Sequence, residues 1–152
     1  MAQHVWTVLC NKAIVDERTK QVSLLEITEQ INFSGEIPPQ ELIDKGVNIP
    51  VPLNLVSFLT RTDKDAPETV SMRIRLVGPN NRDFKATVVP INLESTRNAR
   101  QIISVETLPF SGFGEYYFLV ELNENKSKED WEEAVRVPFT IVNQNEKTLL
   151  TE

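Results

Sequence analysis

The sequence is poor in the residues that most often carry chemistry. It holds one cysteine, Cys10, and one histidine, His4, in 152 residues. A lone cysteine excludes an internal disulfide. With an N-terminus, MAQHVWTV, that has neither a basic start nor a long apolar run, it points to a reducing cytoplasm. A structural zinc site takes four ligands, usually Cys and His, and one of each does not supply them. Only five glycines are present, too few for a Gly-rich phosphate cradle. No G-x-S-x-G elbow, Walker loop or dinucleotide fingerprint occurs. No apolar stretch approaches the roughly 20 residues of a membrane helix. Positive charge is in deficit, 16 basic against 22 acidic residues, for a net charge of −6. A field of that sign opposes long-range attraction to nucleic-acid phosphates and anionic lipid, though it leaves room for a local basic patch.

What is present is β-type patterning along the whole chain. Period-two runs bounded by turn signals recur at 4–10, 21–31, 52–61, 69–77, 83–93, 101–108, 115–122 and 134–142. The cleanest is TVSMRIRLV, with Val70, Met72, Ile74 and Leu76 on one face and Ser71, Arg73 and Arg75 on the other. Gly78-Pro79-Asn80-Asn81 suits a tight hairpin, because Asn tolerates positive φ. Pro90 and Pro138 lack an amide donor and belong on edge strands or at bulges. Two short segments, 38–46 and 127–134, carry helix start and stop signals. About eight short strands with almost no helix predict one all-β domain over 1–152. The expected form is an antiparallel two-sheet β-sandwich, immunoglobulin-like or C2-like, with one or two short helices.

Three blocks of the chain resemble an uncharacterised bacterial domain-of-unknown-function family. VLCNKAIVDERTKQVSLLEITEQI (8–31) is similar to the family's "VLCD…D…TGKLSLIGIFDRI". RIRLVGPN (73–80) is similar to its "LELVDPDG" hairpin. LPFSGFGEYYFLVELNEN (108–125) followed by RVPFTI (136–141) is similar to "LPF…GRYRFRLLVDGE…RVPL.V". Lys20 and Glu26 stand where the family has Gly, Asn11 where it has Asp, and Asn80-Asn81 where it has Asp-Gly. These are mostly turn or strand positions and bear on bulge geometry. The resemblance implies a small bacterial, cytoplasmic β-sandwich and no chemistry.

Candidate sites are few. On one continuous strand, His4 and Cys10 would lie roughly 20 Å apart on the same face, too far for a nucleophile–base dyad. Cys10 reads as a buried hydrophobe and His4 as a surface residue near the terminus. Asp16, Glu17, Asp63, Asp65 and Asp83 are the carboxylates that clustered loops would offer to calcium, without an EF-hand pattern. Arg73 and Arg75, with Arg61 and Lys85 nearby, would form a small anion-binding face unless they pair across strands with Glu or Asp. Two glycosylation triplets, at 32–34 and 125–127, lack a secretory context.

The strand GEYYFLVEL poses the sharpest question. Tyr116, Phe118, Val120 and Leu122 make one apolar face, yet Tyr117 and Leu119 are apolar on the other. Segment 52–61 shows the same two-sidedness, with Val56 and Phe58 opposing Leu53, Leu55 and Leu59. Either the short helices fold over a sheet through Leu42, Ile43 or Trp131, or a partner covers the face. The sequence thus predicts a non-catalytic interaction or scaffold module. It would need no cofactor or metal and would engage neither nucleic acid nor membrane. Its partner would be a protein or a second copy, met through Tyr117, Leu119, Arg73 and Arg75. The alternative is a ligand-binding, calcium-binding or catalytic domain using loops at one end of the sandwich.

Overall fold

The computed structural model describes residues 2–63, 65, 68–84, 86–124 and 130–144. Its strands are β1 (Ala2–Val15), β2 (Val22–Ile27), β3 (Gln30–Phe33), β4 (Val47–Arg61), β5 (Glu68–Val77), β6 (Thr87–Leu93), β7 (Asn98–Phe110), β8 (Gly114–Asn123) and β9 (Glu132–Asn143), with one helix, α1 (Gln40–Lys45). They form a four-stranded sheet ordered β2-β1-β4-β7 and a five-stranded sheet ordered β3-β9-β8-β5-β6. The two sheets pack as a β-sandwich. Alternate residues of each strand fill the space between: Leu53, Leu55 and Leu59 from β4, Met72, Ile74 and Leu76 from β5, Tyr116, Phe118 and Val120 from β8. Phe139 of β9 stacks between Tyr116 and Phe118, at centroid distances of 5.4 and 5.5 Å. The Tyr116 hydroxyl donates to the Gly112 carbonyl at 2.6 Å and accepts from the Ser111 amide at 2.9 Å. That closes the turn before β8 with a buried phenol, the device of a tyrosine corner.

Three local expectations change. The 21–31 run is two strands, split at Thr28–Glu29, where the chain leaves one sheet for the other. It then runs along β9 in the same direction, so β3 and β9 pair in parallel, Gln30 with Thr140 through Phe33 with Asn143. The sandwich is therefore antiparallel except at this edge. Pro138 lies inside the sheet rather than on an edge strand. It is tolerated because β3 begins only at Thr140, which leaves β9 unpaired on that side at position 138. The proposed helix at 127–134 does not form over its second half. Residues 127–129 fall outside the described set, and Glu132–Ala134 belong to β9, where Glu132 and Glu133 pair with Leu122 and Glu121. Pairing with β8 overrides the helical propensity of a charged run.

Four non-glycine residues adopt left-handed backbone: Lys20 (φ 61°), Glu26 (φ 55°), Asn80 (φ 62°) and Asn81 (φ 57°). Asparagine visits this region readily, whereas lysine and glutamate carry a steric cost there. Glu26→Gly is therefore expected to raise stability by about 1 kcal/mol, a rise of roughly 2–4 °C in the thermal midpoint. A lowered midpoint would show that the Glu26 side chain is worth more than the strain it imposes.

Candidate functional site

The register of the five-stranded sheet brings all four sequence-derived candidates onto one outer face. Glu121 lies opposite Arg73, Leu119 opposite Arg75 and Tyr117 opposite Val77 on β5. On the other side Leu119 meets Arg136 and Tyr117 meets Pro138. Arg73 donates through Nε and Nη2 to the two carboxylate oxygens of Glu121, at 2.9 and 3.0 Å. Arg75 adds an Nε bond to Oε1 at 3.0 Å and reaches Asp83 through Nη1 at 3.1 Å. Glu121 is only 6% exposed. Burial pushes its carboxyl pKa up, but hydrogen bonds and charge from Arg73, then Arg75, outweigh that and hold it below its ordinary value.

This face is not an open apolar patch. Leu119 is 6% exposed, flanked by the long stems of Arg75 and Arg136. The Arg136 guanidinium sits over the Tyr117 ring at 4.8 Å, and that of Arg73 over Trp131 at 4.5 Å. The cover over Tyr117 and Leu119 is thus supplied by arginines of adjacent strands, neither by a helix nor by a vacant docking surface. Arg73 and Arg75 are engaged by Glu121 and Asp83, the cross-strand pairing that the sequence offers as the alternative to an anion face. Arg61 lies in the other sheet, and Lys85 is outside the described residues.

The outer face of the four-stranded sheet is covered differently. A bulge between His4 and Trp6 changes the parity of β1. His4 lies opposite Leu59, a core residue, while Trp6 lies opposite Phe58 and stacks on it at 5.8 Å. His4 and Cys10 therefore sit on opposite faces, not the same one. His4 shares a 2.6 Å hydrogen bond with Thr7, which bonds Ser57 at 2.8 Å, and burial lowers the imidazole pKa. Cys10 and Val56 face outward, yet both are wholly buried. Burial raises the Cys10 thiol pKa against a weaker lowering by the Lys12 backbone.

The tip of the β1–β2 hairpin returns toward this sheet. The Arg100 guanidinium donates to the Lys20 carbonyl in the hairpin turn at 3.2 Å. Arg100 pairs with Phe58, whereas β1 leaves β4 beyond Cys10 and Asn54. A hairpin running straight on from there would carry its tip roughly 30 Å from Arg100. It must instead turn back toward Arg100 between Cys10, its last residue paired with β4, and the tip, a stretch that includes Glu26 with its left-handed backbone. Asn11 and Asn54 fix the bend, Asn11 donating to the Pro52 carbonyl and Asn54 to the Asn11 carbonyl. At the tip Asp16 accepts from the amides of Arg18 and Thr19, both at 2.8 Å. Hydrogen bonds from Thr19 and Arg18 lower its pKa.

The loop carboxylates considered for calcium are engaged separately: Asp16 at this tip, Asp83 by Arg75, Asp63 by the Asp65 amide. Among the described residues no group of three or more His, Cys, Asp or Glu side chains is placed to hold a metal ion. An open groove of about 900 Å³ at one end of the sandwich is lined by His4, Glu124, Asp130, Trp131, Glu132 and Glu133, among others. Glu124 there accepts from the Ala2 amide at 2.9 Å. Among the described residues no helix is long and apolar enough to cross a membrane.

The fold defines the chain as an all-β protein of the two-sheet sandwich class. No family model and no curated protein matches the sequence. Among solved structures it is similar to the C-terminal domain of wzt, with 8% identity and a TM-score of 0.46 over 93% of this chain and 74% of that one. A likeness of that depth says nothing of function.

Proposed function

We propose that the protein is a non-catalytic interaction module of the bacterial cytoplasm, and that it engages a partner protein through the outward side of the β1–β2 hairpin rather than through Tyr117 and Leu119. One observation carries this. Of the eight large hydrophobic side chains exposed among the described residues, five lie on β1 and β2 (Val5, Ile14, Val15, Leu25 and Ile27), and the register puts three of them, Ile14, Leu25 and Ile27, on one face of the hairpin. Ile27 is 62% exposed and Ile14 47%. Single exposed apolar residues are ordinary, but several gathered on one hairpin mark an interface. The lone buried thiol supports the cytoplasmic reading. The bacterial origin rests on the family resemblance.

The test is a pair of capture experiments from native lysate. Ile14→Ser/Leu25→Ser alters exposed positions and is expected to leave stability within about 0.5 kcal/mol of wild type. It should lose a partner that the wild type retains. Equal capture by both would refute the hairpin as the interface.

A further inference from the structure

We infer that two copies of this chain pair edge to edge through β7. Each sheet ends in two edge strands, and natural proteins blunt such edges with short strands, Pro or Lys. Three of the four edges here are blunted. β2 has six residues, β3 has four, and β6 has seven with Pro90 among them. β7 has thirteen residues and no lysine, and its first eleven contain no proline. A groove of about 370 Å³ lined by Phe84, Thr87, Ile103 and Val105 follows its inner side, so the five-stranded sheet does not close over it.

The charges along β7 are self-complementary. Its charged residues are Arg100 and Glu106, placed symmetrically about Ile103. Arg100, Ile102 and Ser104 lie opposite Phe58, Val56 and Asn54 on the outer face, and Glu106 is exposed at the irregularity between Val105 and Thr107, where the alternation of β7 breaks before buried Leu108. Among the described residues neither Arg100 nor Glu106 forms an ion pair, and Arg100 spends only its Nη2 on the Lys20 carbonyl of its own hairpin. An antiparallel pair related by a two-fold axis at Ile103 sets Arg100 against Glu106 of the second copy, and Glu106 against Arg100, as an isologous interface requires. Ile103 then meets its own copy on the inner face, with Gln101 against Val105. Moving the axis by one residue sets Arg100 against Ser104 or Leu108 and loses both ion pairs, so the charges specify one register.

This pairing uses a different surface from the proposed partner interface, and the two fail separately. The experiment is sedimentation equilibrium on the full chain at about 100 μM and below, an ordinary range for a weak dimer. The wild type is expected to dimerise, more weakly at high salt. Glu106→Arg puts Arg against Arg twice and should weaken the dimer about tenfold or more with the thermal midpoint unchanged. Arg100→Glu/Glu106→Arg restores the opposite charges and should recover the dimer. Ile14→Ser/Leu25→Ser should leave the mass unchanged. A wild type that stays monomeric, or a Glu106→Arg dimer as tight as wild type, overturns the inference. So does a double reversal that keeps the wild-type thermal midpoint, and hence its hairpin, yet fails to recover the dimer.

Discussion

Glu121→Ala is expected to destabilise the protein by about 3 kcal/mol, because it strands two partly buried guanidinium groups that converge on one carboxylate. For a chain of this size that is roughly 6–12 °C in the thermal midpoint. The effect depends on pH with a definite sign. The folded-state pKa of Glu121 is lowered relative to the unfolded chain. Its contribution is therefore complete above the ordinary carboxylate range and is lost as pH falls through the folded-state pKa. The gap between wild type and Glu121→Ala should be constant near neutrality and close in acid. A gap that does not narrow in acid would mean the residue acts through packing rather than charge.

Leu119→Ser is expected to cost about 3 kcal/mol as well, from lost burial and an unpartnered hydroxyl. Tyr117→Ser should cost less, since Tyr117 is only half buried and its main contact is the Arg136 guanidinium. Denaturant unfolding separates the two. If Leu119→Ser is neutral in the isolated protein, the face is open and the arginine cover is wrong.

These two side chains show what the sequence conveys and what it withholds. Alternation along 69–77 and 115–122 exposed the core face of both strands, because burial writes period two directly into a strand. It also placed Arg73, Arg75, Tyr117 and Leu119 together on the opposite face. It did not say what covers that face, because an arginine on a neighbouring strand leaves no mark on the pattern of the strand it shields. The salt-bridge partner was legible only as a class. Glu121 becomes specific once the β5–β8 register is fixed, and register is a tertiary property.

Other features depended on local backbone that side-chain patterning does not encode. Reading 4–10 as one regular strand put His4 with Cys10, and a single bulge separated them. Positions 20, 26, 80 and 81 all adopt left-handed φ; Asn80 and Asn81 are residue types that hint at it, whereas Lys20 and Glu26 give no such hint. The Arg100–Lys20 contact that brings the hairpin tip back leaves no mark on the pattern of either strand.

The most direct measurement of the interaction proposal is hydrogen–deuterium exchange on the free protein and on its complex with the partner recovered from lysate. The expected result is added protection confined to the β1–β2 hairpin, over 11–15 and 22–27, with β8 unchanged because its outer face is already covered. Added protection in β8 around Tyr117 and Leu119, with the hairpin exchanging as in the free protein, would contradict the account.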